Sequence, residues 1–253
     1  MIDLHCHLLP GVDDGSKTVA QSVRVLQAMK EAGVTGVCLT PHHAVGRIAR
    51  GLPRSHDEAY AALSVVAPEG IALYRGVELM LDRPIPPDIR EHPGLTLGGT
   101  RHILVEFGSG AAVPAVANAL YQIAQTGLVP VLAHPERYRA CTPQAVSHWK
   151  TVGALIQVDA TTLLSGRGRG QRARDILAHG LADIIAADNH GDERTIGIGF
   201  RFLCEAGGAY QAELLAVKNP GAILADATVE PVPPLPIKTG IMDKLKQLLG
   251  PVE

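Results

Sequence analysis

Apolar residues along this chain follow two alternating patterns, short continuous runs and longer stretches with an apolar residue at every third or fourth position. A short apolar run is typical of a strand buried on both faces, whereas the longer spacing is typical of an amphipathic helix. Strands are predicted at the opening residues and over 34–40, 71–77, 102–105, 128–133, 154–158 and 182–187. Helices are predicted from a cap at Ser16 or Thr18 to Gly33, and over 55–66 with Ser55 as the cap, 113–126, 143–152, 171–179, 195–206 and 209–217.

The order of these elements predicts the fold class. Seven strands, most of them separated by a helix, favour a parallel sheet that closes into a (β/α) barrel. The chain has 253 residues, a length at which a single barrel domain is common. We expect the barrel to occupy residues 1–228 and residues 229–253 to form a tail, in which a proline-rich spacer precedes a short amphipathic helix over 241–249.

The first residues carry a candidate metal-binding motif, His5-Cys6-His7. Side chains alternate along a strand, so the two imidazoles are expected on one side and Cys6 on the other. Two imidazoles on the same side of a strand end can bind one metal ion together. Either Asp13 or Asp14 can reach the same place from the following loop.

The other predicted strands also end at residues that can bind a metal or support a ligand. In a (β/α) barrel the active site lies at the carboxyl ends of the strands, so side chains that are scattered through the sequence converge there. The residues at these ends are His5, His7, His42, Glu78, Glu106, His134, Asp159, Asp188 and His190. An isolated histidine or carboxylate is most often structural. Because one strand after another ends at such a residue, the set as a whole predicts a metal site.

A set of histidines and carboxylates without thiolates favours borderline to hard divalent ions such as Mn, Fe, Zn or Mg. The set exceeds what one ion needs, so two or three ions are expected, with Glu106 or Asp188 as a bridging ligand. Such a cluster activates water and holds a phosphoryl group, which makes phosphate ester hydrolysis the natural reaction. No cysteine is followed six residues later by arginine, and the loop around Asp13 and Asp14 lacks the glycine that a P-loop requires.

Composition excludes other classes of function. The formal net charge of −2 offers no basic surface for nucleic acid. The four cysteines are scattered without a paired spacing, which predicts reduced thiols and a cytoplasmic location. The uncharged run over 107–133 contains Pro114 and Pro130, so it is interpreted as a helix followed by a buried strand, and no membrane insertion is expected.

The chain carries these motifs in order: His5-Cys-His7, Gly11-Val-Asp-Asp-Gly15, Thr40-Pro-His42, Gly76-Val-Glu78, Val105-Glu-Phe107, His134-Pro-Glu-Arg137-Tyr138 and Asp188-Asn-His190. Together they resemble the motifs of the PHP (polymerase and histidinol phosphatase) superfamily, and within it those of the manganese-dependent protein-tyrosine phosphatases of bacterial capsular and exopolysaccharide biosynthesis. The resemblance implies a distorted (β/α)7 TIM-like barrel with a trinuclear manganese site. It also implies hydrolysis, by metal-activated hydroxide attack, of phosphotyrosines in the tail of a bacterial tyrosine autokinase that regulates capsule synthesis.

The resemblance also assigns roles to individual residues. Arg137 resembles the arginine that holds the phosphate, Arg194 is a candidate for a second one, and His42 joins these two as a candidate catalytic residue. Two positions depart from the family pattern, because Cys6 replaces a serine and Asp159 replaces an asparagine. The metal ligands that it implies are His5, His7, Asp14, His42, Glu78, Glu106, His134, Asp188 and His190.

Three alternatives stay open at this point. The chain could be a small-molecule phosphatase similar to histidinol-phosphate phosphatase, a nuclease, which the weak net charge disfavours, or a non-catalytic scaffold that binds metal. An arginine-rich loop after the strand that ends at Asp159 could attract a phosphopeptide, or it could be only a solvated helix start. Its arginines are Arg167, Arg169, Arg172 and Arg174.

Overall fold

The computed structural model describes residues 1–237, and the amphipathic helix predicted over 241–249 lies outside them. The strands are β1 (Ile2–Cys6), β2 (Gly36–Leu39), β3 (His42–Ala44), β4 (Ala72–Arg75), β5 (Glu78–Met80), β6 (His102–Glu106), β7 (Val129–Ala133), β8 (Leu155–Asp159) and β9 (Ile184–Ala186). The α-helices are α1 (Val19–Glu31), α2 (Arg54–Val66), α3 (Val113–Gln125), α4 (Pro143–Thr151), α5 (Gly168–Ala178), α6 (Ile196–Glu205), α7 (Ala209–Glu213) and α8 (Asn219–Leu224), and Leu214–Lys218 forms a π-helical turn between the last two.

The strands form a closed parallel barrel. One sheet has the order β1-β2-β4 and the other has the order β3-β5-β6-β7-β8-β9, with all neighbours parallel. The barrel closes where β1 meets the residues that follow β9, since Asp188 N–H donates to His5 O at 3.0 Å and His7 N–H donates to Asn189 O at 2.8 Å. Strands β2 and β3 share one position in the barrel, and β4 and β5 share another. The nine strands within residues 1–237 therefore fill seven positions, which confirms the predicted (β/α)7 architecture.

Two interruptions distort the barrel. Pro41 separates β2 from β3, and Gly76 with Val77 separates β4 from β5. A proline has no N–H to donate to a neighbouring strand, so the ladder breaks there, but Pro41 O still accepts from Glu78 N–H at 3.1 Å. The prediction that these strands end at His42 and Glu78 was therefore wrong, because pairing resumes for three residues beyond each break.

The alternation of side chains divides the core into two parts. On β6, Ile103 and Val105 point outward into the layer between the sheet and the helices, whereas Leu104 points into the barrel lumen. Leu97, on a short 3₁₀ turn between β5 and β6, packs with the lumen residues at the amino-terminal end of the barrel. The buried lumen cluster is Leu4, Cys38, Leu97, Leu104, Val131, Ala133, Ile184 and Ile223.

The predicted helix starts are confirmed in part. Thr18 caps α1 by accepting from Gln21 N–H at 3.1 Å, so one of the two proposed caps is confirmed. The prediction of Ser55 as a cap was wrong, since α2 begins at Arg54 after Pro53 and has no side-chain cap. Helix α5 begins at Gly168, ahead of the predicted start at Gln171.

The segment after α8 packs along the barrel as far as the description extends. Val232 and Leu235 are buried against the outer core, and Leu235 N–H donates to Leu177 O at 2.9 Å. The division of the chain at residues 228 and 229 stays a prediction.

The uncharged run over 107–133 contains α3 and β7, as predicted. Within residues 1–237, none of the helices is both long enough and apolar enough to cross a bilayer.

Candidate metal centre

Strand β1 delivers two imidazoles to the lumen through an irregularity in its pairing. Leu4 belongs to the lumen cluster and Cys6 to the outer core, although regular alternation would place them on one face. The register with β2 shifts between Asp3 and Cys6, which accounts for the change of face. His5 and His7 consequently lie together, with their Nε2 atoms 3.1 Å apart.

The carboxyl ends of the strands bring the predicted ligands into one connected cluster. Three groups of side chains each offer ligand atoms within 4.8 Å of one another, and neighbouring groups share His7, His42 and Glu78. The shared members make the groups continuous, so the cluster could hold up to three ions. The groups are His7, Asp14, His42 and His190; His5, His7, Glu78 and Asp188; and His42, Glu78 and Glu106.

Glu78 lies at the centre of this cluster. Its Oε1 is 2.9 Å from His134 Nε2, and its Oε2 is 2.9 Å from His42 Nδ1. The same Oε2 lies 3.3 Å from His5 Nε2. Burial alone would raise the pKa of the Glu78 carboxyl, but the surrounding imidazoles outweigh burial and hold that pKa well below its usual range. His134, which is in none of the three groups, joins the cluster through this contact with Glu78.

Two of the cluster residues have left-handed backbone conformations. The φ angles of His134 and Asp188 are 32° and 49°, which non-glycine residues rarely adopt. His134 directly follows β7 and Asp188 lies two residues after β9, where the chain leaves each strand at the barrel mouth. Backbone strain of this kind costs about 1–3 kcal/mol and persists mainly where function requires it.

The polar atoms at the centre of the cluster fit a metal ion better than they fit one another. Among the described residues, Glu78 Oε2 and Asp188 Oδ1 are fully buried and have no hydrogen-bond partner. Asp188 Oδ1 lies 3.2 Å from Nε2 of both His5 and His7. Buried polar atoms that converge without hydrogen bonds are the expected arrangement around a cation.

The carboxylates of the cluster favour protonation of its imidazoles. Burial opposes protonation of His42, but Glu106 and Glu78 outweigh burial and raise the pKa of its imidazole to about 10. Burial also opposes protonation of His7, where Asp13, Asp188 and Glu78 raise the pKa well above the usual value. Metal binding would therefore release protons from these rings, as it does wherever imidazoles become ligands.

Two polar side chains behind the ligands orient the imidazoles. His7 Nδ1 donates to Asp13 Oδ2 at 2.8 Å, and His5 Nδ1 donates to Gln157 Oε1 at 3.0 Å. These bonds direct both Nε2 atoms toward the centre of the cluster. Burial raises the pKa of Asp13, but the hydrogen bond from His7 outweighs it and lowers the pKa to about 2.

The structure assigns different positions to the two aspartates that the sequence left as alternatives. Asp13 supports His7 from behind, whereas Asp14 Oδ1 faces the cluster, 3.4 Å from His42 Nε2 and 3.5 Å from His190 Nε2.

The sequence pattern did not predict a role for Gln157. Its signal was its position two residues before Asp159, which places both side chains on the inward face of β8.

Arg137 lies at the edge of the cluster. Its Nη2 donates to Asp159 Oδ2 at 3.0 Å and also contacts Asp188 Oδ2. Asp159 belongs to none of the three groups, and its other carboxylate oxygen accepts from Thr161 N–H at 2.9 Å. Asp159 thus fixes the arginine instead of joining the metal ligands. Burial opposes the charge of Arg137, but the two aspartates outweigh it and raise the pKa of the guanidinium.

The other predicted arginines lie farther from the cluster centre. Arg194 Nη2 pairs with Asp192 Oδ2 at 2.7 Å, in the loop that follows His190. In the arginine-rich loop, Arg174 is buried and donates to Leu163 O at 2.8 Å, and Arg172 Nε donates to Glu136 O at 2.8 Å. Arg167 and Arg169 are exposed, so these two of the four arginines are available to attract a phosphopeptide.

Comparison with known proteins places the chain in a family. Residues 1–225 match the family model described as "Capsular polysaccharide synthesis, CpsB/CapC". This chain belongs to the CpsB/CapC family. Over 249 residues it is 29% identical to the tyrosine-protein phosphatase YwqE of Bacillus subtilis, covering 94% of this chain and 97% of that protein. The putative tyrosine-protein phosphatase CapC of Staphylococcus aureus is 30% identical over 197 residues, 75% of this chain and 77% of that protein.

Solved structures agree with this CpsB/CapC assignment. One match, to the crystal structures of YwqE from Bacillus subtilis and CpsB from Streptococcus pneumoniae, described as unique metal-dependent tyrosine phosphatases, has a TM-score of 0.79 and 25% sequence identity. It covers 94% of this chain and 100% of the matched chain. A Mycobacterium tuberculosis phosphotriesterase, with a TM-score of 0.51 and 13% identity, shares the fold alone.

In this CpsB/CapC family member, the barrel mouth brings together all the side chains that the resemblance implied as metal ligands. Arg137 adjoins them directly through Asp188, whereas Arg194 is held by Asp192. The family resemblance seen in the sequence is confirmed.

Proposed function

We propose that this chain is a metal-dependent protein-tyrosine phosphatase. The observation that carries the proposal is the set of three overlapping ligand groups at the carboxyl ends of the strands, in a chain that matches the CpsB/CapC family over residues 1–225. The curated relatives named above are tyrosine-protein phosphatases, and the matched structure is described as metal-dependent.

In this proposal the cluster binds two or three Mn²⁺ ions, with Fe, Zn or Mg as substitutes. Histidine and carboxylate ligands without thiolates suit these ions. When bound, the ions would lower the pKa of water toward neutrality and offset the charge of the phosphate. The proposed ligands are His5, His7, Asp14, His42, Glu78, Glu106, His134, Asp188 and His190.

Arg137 is the proposed phosphate-binding residue. Its guanidinium is about a quarter exposed, with a side-chain exposure of 27%, so it can donate to a phosphate from the rim while Asp159 fixes its position. An arginine presents several N–H donors in one plane, which suits a phosphate. Arg194 is the proposed second phosphate contact, and His42, 38% exposed, presents its ring at the mouth where substrate would enter.

The leaving group favours phosphotyrosine over an alkyl phosphate. The phenol of tyrosine has a pKa of about 10, so its oxygen needs little protonation as it departs. A metal site built from imidazoles and carboxylates can therefore act on this leaving group without a dedicated acid. A site built in this way suits an aryl phosphate.

The proposed physiological substrate is the phosphotyrosine-bearing tail of a bacterial tyrosine autokinase that regulates capsule or exopolysaccharide synthesis. The family description supports a role in capsule synthesis, and the names of the relatives support a tyrosine-phosphorylated protein as the substrate. A cytoplasmic location is part of the proposal, and the four free cysteines support it, since unpaired thiols are common in reducing compartments.

The test is phosphate release by metal-stripped protein after Mn²⁺ is added back, with a chelator-treated sample as control. A tyrosine-phosphorylated peptide and histidinol phosphate are the two substrates. We expect Mn-dependent release from the peptide and little from histidinol phosphate. Release from histidinol phosphate alone would assign the chain to small-molecule hydrolysis. No release from either, with metal bound, would favour the non-catalytic scaffold.

A further inference from the structure

A second cavity opens beside the metal centre, on the side of strands β5 and β6. Its volume is about 560 Å³. Its walls are the loop after β5, the loop after β6 and one face of α3. On α3 the lining residues Ala115, Asn118 and Gln122 are exposed and spaced three and four residues apart, so they form a single stripe along the helix. We call this cavity the β6 groove.

The β6 groove is continuous with the catalytic edge of the barrel. Phe107, one of its lining residues, directly follows the cluster residue Glu106. Leu81, at the opposite wall, donates its N–H to Glu106 O at 2.9 Å. Ser109 O in the same wall accepts from Arg139 N–H at 2.9 Å, two residues beyond Arg137. These contacts place the walls of the groove next to Glu106 and to the loop that carries Arg137.

The lining of the β6 groove has a defined chemistry. Leu81, Pro84 and Phe107 contribute apolar surface, and no carboxylate is among the lining residues. Arg83 contributes the only cation of the lining, and its side chain is 62% exposed, with a contact of 3.4 Å to Asp82. This combination suits an apolar side chain that is followed or preceded by an acidic residue.

We infer that the β6 groove binds the residues that flank phosphotyrosine in a peptide substrate, with an apolar side chain against Phe107 and an acidic residue facing Arg83. This inference rests on the proposed phosphatase function and adds a specificity surface to it. The groove would contribute binding energy for the peptide and none for a small aryl phosphate, because a small substrate does not extend beyond the metal centre.

The decisive variant is Ala115→Trp, which fills the groove from an exposed helix position. We expect the KM for a phosphotyrosine peptide with a neighbouring leucine and glutamate to rise about tenfold or more, the loss typical of one well-placed contact of about 1.4 kcal/mol. The kcat and KM for p-nitrophenyl phosphate and the manganese content should stay unchanged. The matched control is Ala62→Trp, the same substitution at an exposed position of α2 outside the groove.

A second variant tests the charge. Arg83→Gln should raise the KM for the glutamate-containing peptide and leave the KM for the same peptide with glutamine in that place unchanged.

Unaltered peptide kinetics in both groove variants would overturn the inference and leave the phosphatase proposal standing. Equal losses on the peptide and on p-nitrophenyl phosphate would also overturn it, since they would show damage to the catalytic edge. Failure of the phosphatase proposal has a different signature, in which the unaltered protein loaded with manganese releases no phosphate from any tyrosine-phosphorylated peptide.

Discussion

The two ends of the barrel lumen are built from the same strands but have opposite chemistry. At the amino-terminal end, buried apolar residues such as Leu4, Leu104 and Ile223 pack together in the lumen. At the carboxyl end, buried imidazoles and carboxylates face one another, and two of the carboxylate oxygens lack hydrogen-bond partners. A single strand shows the transition, because β6 directs His102, Leu104 and Glu106 inward in that order.

The difference shows where stability and function are separated in this fold. Apolar packing at the amino-terminal end stabilises the barrel whether or not an ion is bound. The carboxyl end costs stability, since it buries charged groups and holds His134 and Asp188 in strained backbone conformations. Changes at the carboxyl end should consequently reduce turnover, whereas changes at the amino-terminal end should reduce the free energy of unfolding.

The largest effect is expected for Asp188→Asn. An asparagine tolerates the left-handed backbone of this position, so the fold should persist, but the cluster loses one of its carboxylates. We expect kcat/KM for a tyrosine-phosphorylated peptide to fall about a thousandfold, in line with the several kcal/mol that metal ions contribute to such reactions. Circular dichroism would check the fold, and metal analysis would check occupancy.

Asp226→Asn is the matched control for that variant. Asp226 also has a left-handed backbone, with φ of 53°, but it lies at the amino-terminal end, where its Oδ1 accepts from Arg101 N–H at 3.2 Å. Activity should be retained. If Asp226→Asn abolished turnover, or if Asp188→Asn kept it, the separation of the two ends would be wrong.

Leu104→Ala should have the opposite effect, in which the free energy of unfolding falls and kcat/KM is retained. The side chain is fully buried in the lumen, so truncation leaves a cavity that costs about 2–4 kcal/mol of the free energy of unfolding. Urea denaturation would measure the loss, and kcat/KM at low temperature should remain close to that of the unaltered protein. Val65→Ala, at a position 85% exposed, should change neither quantity.

Arg137→Ala should separate phosphate binding from metal binding. The guanidinium donates to Asp159 and Asp188 but is not among the side chains that could hold an ion. We expect kcat/KM to fall about a hundredfold, the usual cost of removing one donor to developing charge, with manganese content retained. An equal loss of manganese would assign Arg137 to the integrity of the cluster. Arg24→Ala, at an exposed position of α1, serves as the control and should leave kcat/KM unchanged.

The smallest effect concerns His102 and the pH dependence of stability. Burial, helped by Arg101, outweighs Asp226 and lowers the pKa of the His102 imidazole to about 4. The unfolded residue has a pKa of about 6.5, so between these values the unfolded chain binds a proton that the folded chain excludes. Stability should therefore be lost as the pH falls from 6.5 toward 4.

His102→Gln should remove this contribution, which we expect to be on the order of 1 kcal/mol after allowance for solvent screening. The measurement is the difference in unfolding free energy between the two proteins at several pH values, since the cluster histidines are common to both and cancel. A difference that does not vary with pH would contradict the assignment.

Local patterns in the sequence were sufficient to predict the seven strand positions, most helices and the side chains that gather at the barrel mouth. These are properties of short stretches, because strand and helix periodicities are local and parallel strands in a barrel present their carboxyl ends together. His134 and Asp188 could be placed at strand ends without any knowledge of their partners.

Contacts between segments that are distant in the chain set which polar groups support the ligands and where the strands break. Gln157 reaches His5 across 152 residues of sequence, and Asp13 instead of Asp14 supports His7. The resumption of pairing after Pro41 and the β6 groove likewise depend on segments that are distant in the chain. The physical reason is that hydrogen bonds and cavities are set by distances between elements, and the spacing of residues along one element carries no information about those distances.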